Sequence, residues 1–398
     1  MTQDVRSDFS DPAFQADPHP EYARWRRETP VRRVLLPSGV TVWLVTRYED
    51  ARQALSDPRL SKAIHWGEGA DPIAAATSRH MLSADPPDHT RLRRLVSGAF
   101  TTRRIEALRP RIEEITDELL AAMTGRDRVD LIDAFAFPLP IQVICELLGV
   151  PAADRDSFRA WTTVIVGGTQ TRDQQHDAMR AMASYIRDLI AERRTHGGAD
   201  LLSGLVEVRD AGDRLSSDEL SSMVFLLLIA GHETTVNLIG NGVHLLLAQR
   251  DRWDRLRADP ALLPSAIEEF LRFEGPVETS TYRFATEDLE LGGSAIGAGE
   301  PVLVSLLAAD RDESRFPDHD ELRFDRTQNP HLAFGHGIHY CLGAPLARLE
   351  AQVAFGKLLA RFPELKLAVP ADRLTWRPGY LIRGLHDLPV RPGAAARA

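Results

Sequence analysis

Between Phe334 and Gly343 the chain reads Phe-Gly-His-Gly-Ile-His-Tyr-Cys-Leu-Gly, and an amphipathic, helix-forming stretch opens directly after it at Ala344-Pro345. A buried cysteine ordinarily behaves as a small hydrophobe, but the neighbours of Cys341 point elsewhere. Gly335, Gly337 and Gly343 lack Cβ atoms, so the backbone can turn sharply and approach a flat ligand closely, while Phe334 offers an aromatic face beneath it. A sulfur at a helix N-terminus meets unpaired N–H groups and the positive end of the helix dipole, which stabilise a thiolate. Pro345 costs little in that first turn, where its missing donor is not needed. The combination suits a thiolate ligand to haem iron.

Three further groups carry chemistry. Ala230-Gly231-His232-Glu233-Thr234-Thr235 is a polar step inside an otherwise apolar run. A zinc-binding His-Glu-x-x-His pattern is excluded because position 236 is valine, and the structural alternative is that Thr234 bonds back to the carbonyl of residue 230 and bends the helix. Burying the two carboxylates of a haem requires cations of fixed geometry. His89 and Arg93 share one helix face at i,i+4 spacing, Arg283 lies in an expected strand from Thr279 to Phe284, and His339 stands two residues before the cysteine. Glu269 and Arg272, at i,i+3 in a helix expected from Ser265 to Phe273, are spaced for an internal ion pair.

The elements that must hold these groups are mostly helical. The longest helix is expected from about Ser217 to Ala248, with Ser216 as N-cap and Glu219 completing a capping box. Pro138-Leu-Pro140 precedes a buried helix from Ile141 to Leu148, stopped by Gly149. Between Val277 and Val304 the alternation is strand-like, with turns at Gly292-Gly293 and Gly297-Ala-Gly299. With no repeat or linker, residues 1–398 read as one domain.

A 43% hydrophobic fraction supports a sizeable core. The two cysteines, Cys145 and Cys341, lie too far apart in sequence to suggest a disulfide framework or a thiolate cluster, which fits a reducing cytoplasm. The N-terminus has no apolar targeting stretch, and the run from Met223 to Ala230 falls far short of the roughly 20 residues a membrane span needs. A net charge of −9 argues against a nucleic-acid binder.

The run from Phe334 to Gly343 resembles the haem-binding loop of the bacterial cytochrome P450 monooxygenases, F-G-x-G-x-H-x-C-x-G, and the resemblance covers nearly the whole chain. It implies a mainly α fold with a small β region, shaped like a triangular prism, with the long helix crossing over haem b (iron protoporphyrin IX). Cys341 is then the axial iron ligand, with Phe334, Gly335 and Ala230 against the cofactor and His89, Arg93, Arg283 and His339 on its propionates. Ala230 and Gly231 leave room for dioxygen, Thr234 donates a hydrogen bond to it, and Glu233 relays protons from solvent. Glu269 and Arg272 match the family's Glu-x-x-Arg signature and form a structural triad with Arg323. The segment after Arg323 is shorter than the family's usual wording, which keeps Arg326 open as the third member.

The wording from Ile229 to Pro276, and Ile382-Arg-Gly-Leu, is similar to actinobacterial hydroxylases that tailor macrolides and other polyketides. The expected reaction is hydroxylation or epoxidation of a bulky hydrophobic secondary metabolite. A steroid or terpenoid substrate, or an oxidative coupling, is the alternative; a peroxide-using enzyme or a haem sensor fits the intact Glu233-Thr234 pair less well. The expected substrate lining comprises Trp66, Leu227, Ala230, Val277, Leu381 and Ile382, with the stretch 66–82 and the helix pair around 161–182, and Glu68 and Asp71 are candidate partners for a cationic amino sugar. With no flavin or iron–sulfur domain recognisable, electrons are expected from a ferredoxin and its NAD(P)H-dependent reductase, steered to a basic face formed by Arg91, Arg94, Arg103 and Arg104.

Overall fold

The computed structural model describes residues 9, 11–63, 72–98, 100–166, 171–198, 200–207 and 215–396. Its axis is the helix Ser217–Leu247, 31 residues long, which at ~1.5 Å per residue spans roughly 46 Å. The capping box is formed as expected: the Ser216 hydroxyl accepts from the Glu219 N–H at 3.2 Å, and the Glu219 carboxylate accepts from the Ser216 N–H at 2.8 Å. This helix is apolar nearly all round because it is surrounded, as an all-round apolar helix must be. The helices Pro72–Ser78, Pro138–Leu147, Arg172–His196, Leu263–Glu274 and Ala344–Arg361 all pack on it. At Gly242 the packing is close enough that a Cβ would sit 2.5 Å from the Phe355 ring and 3.0 Å from that of Phe270. Ser217–Leu247 is also the one helix among the described residues long and apolar enough to cross a membrane, and 78% of its most apolar window is buried inside the protein.

The β region is wider than its sequence signal. Strands Arg283–Ala285 and Pro301–Val304 pair antiparallel, but they form the middle of a five-stranded sheet whose other members come from the chain's start. Val31–Leu35 pairs antiparallel with Thr41–Val45, which runs parallel to Pro301–Val304, and Leu60–Ser61 closes the far edge against Arg283–Ala285. The strand expected from Thr279 shrinks to Arg283–Ala285, with Thr279 making a single bridge to Ser305. The Gly292-Gly293 turn joins a separate two-stranded ribbon, Leu289–Leu291 with Ser294–Ile296.

One large apolar cluster surrounds the long helix and a second lies under the five-stranded sheet. A third, aromatic cluster of Phe9, Phe14, Tyr22 and Trp25 fastens the N-terminal segment. The sheet brings Arg283 and the residues beside Ser61 to the same side of the molecule as the cysteine loop, and this is its main contribution to the site.

Candidate haem-binding and oxygen-activation site

The cysteine loop is built from short backbone bonds. Gly335 N–H donates to the Leu332 carbonyl at 2.7 Å, and Cys341 N–H donates to the Phe334 carbonyl at 2.9 Å. Gly335 and Gly337 hold φ values of +75° and +72°, which side chains other than glycine's adopt only with strain. Gly343 has an ordinary φ of −81° and serves instead as the N-cap of Ala344–Arg361. Burial pushes the Cys341 thiol up, and the N–H groups of Gly343 and Ala344, with the charges of Arg93 and Arg348, pull it back. Phe334 lies under the Arg348 guanidinium, 4.5 Å from ring centre to carbon. Arg348 is itself clamped by both oxygens of Glu268 at 2.7 Å, and His331 holds the same carboxylate at 3.1 Å. No sequence motif flagged this Glu268–Arg348–Phe334 support, because its members are joined only by folding.

Facing the sulfur is a cavity of about 1490 Å³ of empty space, mouth included, and among the described residues no carboxylate lines it. Leu226, Leu227, Ala230, Gly231, Thr234 and Thr235 form the wall on the long helix, opposite Phe334, Gly335 and Cys341. The Thr234 hydroxyl donates to the Ala230 carbonyl at 3.0 Å. Its one hydrogen is thereby committed, so toward the cavity it offers lone pairs and accepts hydrogen bonds unless the Ala230 bond opens. Glu233 is buried and does not line the cavity; it pairs with Arg377, and Asn237 approaches the same oxygen at 3.4 Å. Arg377 is 144 positions away and carries no local signal that could have marked it.

The expected propionate cations converge. His89, Arg93, Arg283 and His339 all line the cavity, with the two imidazole rings 4.4 Å apart. Arg93 also donates to the Tyr340 carbonyl at 2.8 Å, tying its helix, Asp88–Ser97, to the loop. Burial, reinforced by the positive charges of Lys62, Arg283 and His89, pulls His339 down to about 3, and burial pulls Arg283 to about 10. Both ring nitrogens of His89 and the Nε of Arg283 are buried with no hydrogen-bond partner among the described residues. Buried polar atoms of that kind are uncommon and call for an acceptor from outside the chain. A soft sulfur on one wall, apolar surroundings, the guanidinium groups of Arg93 and Arg283 and the orphaned nitrogens of His89 and Arg283 fit an iron porphyrin bearing two carboxylates.

Of the expected substrate residues, Leu227, Ala230, Val277 and Leu381 line the cavity, joined by Met81 and Leu82. Ile382 does not: it pairs through its backbone with Val277. None of the described residues of the helix pair around 161–182 lines the cavity either, while Trp66, Glu68 and Asp71 lie outside the described residues.

The structural triad needs a correction. Glu269 and Arg272 are fully buried and bonded at 2.8 and 2.9 Å, but the third side chain is that of Arg326, whose Nε lies 3.1 Å from Glu269 Oε2. Arg323 contributes only its backbone N–H to Glu269, at 3.0 Å, and its guanidinium turns outward to Asp318. The backbone after Arg323 carries the side chain three residues later against the carboxylate. On the basic face, Arg91 pairs with Glu219 instead of facing solvent, whereas Arg94, Arg103 and Arg104 are exposed.

A loop that presents one sulfur to a cavity beneath a long helix defines the chain as a haem-thiolate oxygenase. It belongs to the cytochrome P450 family, whose model matches residues 159–370, and it is a cytochrome P450 monooxygenase. It is 54% identical over 395 residues to Cytochrome P450 107B1 of Saccharopolyspora erythraea, covering 96% of this chain and 97% of that one. It is 51% identical to the Vitamin D(3) 25-hydroxylase of Pseudonocardia autotrophica, covering 96% and 95%. Among solved structures it superposes on the tirandamycin C-bound P450 monooxygenase TamI with a TM-score of 0.91 and 51% identity, over 98% of this chain and 100% of that one. Its cofactor is haem, and it works with redox partners on hydrophobic substrates.

Proposed function

We propose that the chain, as one domain in the cytoplasm, inserts one oxygen atom of O2 into a C–H bond of a bulky hydrophobic secondary metabolite of macrolide or polyketide type. Two electrons and two protons reduce the other oxygen atom to water. The observation that carries this reading is that Cys341, Ala230 and Thr234 line one apolar cavity together with Arg93, Arg283, His89 and His339, with no carboxylate among the described lining residues. Haem b, when bound through Cys341, supplies the oxygen activation. The chain supplies the rest. Phe334 and Gly335 pack the cofactor from below, and His89, Arg93, Arg283 and His339 hold its propionates.

Thr234 holds a proton-carrying water by accepting its hydrogen bond, and Glu233, gripped by Arg377, is the carboxylate placed to supply protons to that water. The Arg377 side chain is 24% exposed against 4% for Glu233, so the ion pair reaches from the buried carboxylate toward solvent. Leu227, Val277 and Leu381, with Met81 and Leu82, give the substrate an apolar bed that excludes competing water. Electrons come from a ferredoxin and its reductase; the exposed Arg103 and Arg104 sit on a helix, Thr102–Glu106, that packs on the helix following Cys341, where an acidic donor would be steered.

A steroid-like substrate is the second reading, favoured by the similarity to a vitamin D(3) hydroxylase. A difference-spectrum screen tests both: polyketide lactones and steroids are titrated into the ferric holoprotein and scored for displacement of axial water. Tight responses to steroids with none to lactones would reverse the order. Thr234→Ala is expected to leave the carbon-monoxide spectrum intact while cutting product formed per NAD(P)H consumed by roughly tenfold or more. Unchanged coupling would remove Thr234 from proton delivery.

A further inference from the structure

Lys62 is a cation that no motif brought forward. It stands at the end of the edge strand Leu60–Ser61, is 5% exposed, and lines the same cavity as Cys341. Its ammonium group donates to the Thr281 hydroxyl and, at 3.3 Å, to the Tyr282 carbonyl, which leaves the third of its N–H donors uncommitted. Arg283 lies one residue beyond that carbonyl. Among the described residues the carboxylate that acts on it is Asp85, which is spent on other groups: it accepts from the Ser61 hydroxyl and from the backbone N–H groups of Lys62 and Ala63 at 3.0 and 3.4 Å.

Lys62 and Arg283 are therefore two buried cations side by side, each repelling the other, with one shared and already occupied counter-charge. Burial and the Arg283 charge lower Lys62 to about 7, against a smaller opposing pull from Asp85. Two positive charges buried together are relieved either by loss of the Lys62 proton or by an anion that joins them. The orphaned Nε of Arg283 and the unpartnered ring nitrogens of His89 are further donors on the same cavity wall.

We propose that Lys62 is a carboxylate-binding residue of this cavity, a third cationic side chain beside Arg93 and Arg283, acting with Arg283 through its free N–H donor. The carboxylate comes either from a propionate of the haem or from an acidic substrate lying over it. The proposal rests on the reading that haem occupies the cavity through Cys341, and the wild-type holoprotein's thiolate carbon-monoxide spectrum checks that separately. A wild-type protein without that band sinks the parent reading, whatever Lys62 does.

The test compares wild-type, Lys62→Met and Lys62→Arg holoproteins in three measurements: the rate of haem transfer to excess apomyoglobin, the haem reduction potential, and the spectral affinities for lauric acid and methyl laurate. If the partner is a propionate, Lys62→Met loses haem about tenfold faster, the loss of one charge-assisted hydrogen bond, and its reduction potential falls as a positive charge departs. Lys62→Arg then restores both. If the partner is a substrate, haem loss is unchanged, lauric acid binds Lys62→Met about tenfold more weakly, and methyl laurate binds as before. Wild-type behaviour of Lys62→Met in all three measurements overturns the proposal. So does a Lys62→Arg protein as impaired as Lys62→Met, since side-chain volume would then be the cause. Should Lys62→Met not accumulate with haem, Lys62→Gln takes its place.

Discussion

Cys341→Ala is expected to abolish the thiolate-specific Soret band of the reduced, carbon-monoxide-bound protein. The other cysteine cannot substitute. Cys145 does not line the cavity and is fully buried, and burial pushes its thiol up to about 12. Cys341 alone has the setting a metal ligand requires: a sulfur facing the cavity, backbone N–H groups of Gly343 and Ala344 pointing at it, and the Arg93 and Arg348 charges within reach. Haem retained in the variant would have to find another ligand, and His336 and His339 line the same cavity. A spectrum of imidazole type is therefore compatible with the assignment, whereas a persisting thiolate band moves the ligand off Cys341. Cys145→Ala, the control, should keep the band in full.

Arg272→Ala is expected to yield protein that scarcely incorporates haem. All five N–H donors of this guanidinium are used: Nε and one Nη2 donor go to the two oxygens of Glu269 at 2.9 and 2.8 Å, and the other three go to the carbonyls of Asp310, His319 and Glu321 at 2.9 to 3.0 Å. Both side chains are fully buried. Removing the arginine leaves a buried carboxylate held only by Arg326, Asn329 and the Arg323 N–H, together with three carbonyls short of a donor.

The cost, ~3–5 kcal/mol for breaking a buried pair, is a large share of the roughly 5–15 kcal/mol by which a domain is stable. It falls on the helix Leu263–Glu274 and the segment leading into the cysteine loop, so the site that receives haem loosens first. Lysine should not rescue, since it lacks the planar fork. The ratio of haem absorbance to protein, with the thermal midpoint, reads the effect. Normal loading of Arg272→Ala would remove the triad from haem incorporation. Arg326→Ala should show a milder form of the same defect, while Arg323→Ala, whose side chain meets Asp318 and Asp325 at the surface, should leave loading unchanged.

What could be read without coordinates was whatever depends on neighbours along the chain. The glycine spacing around Cys341, the Ser216-to-Glu219 box, the i,i+4 pair His89 and Arg93, and the i,i+3 pair Glu269 and Arg272 all involve residues within one or two turns of each other. There, covalent geometry nearly fixes who meets whom. The same short range let the Gly292-Gly293 turn be placed but gave no hint that its surroundings would pair with strands from the N-terminal segment.

Contacts closed by long loops were beyond reach. Lys62 meets Thr281 across 219 positions, and Glu233 meets Arg377 across 144. No periodicity runs over such distances, and either arginine after Phe316 could have been drawn against Glu269 on paper. Position along the chain therefore marked out the cysteine loop, the long helix and the family. Folding decided which cation reaches each buried carboxylate and which apolar residues face the cavity, because both depend on the shared burial of segments that only the assembled core brings together.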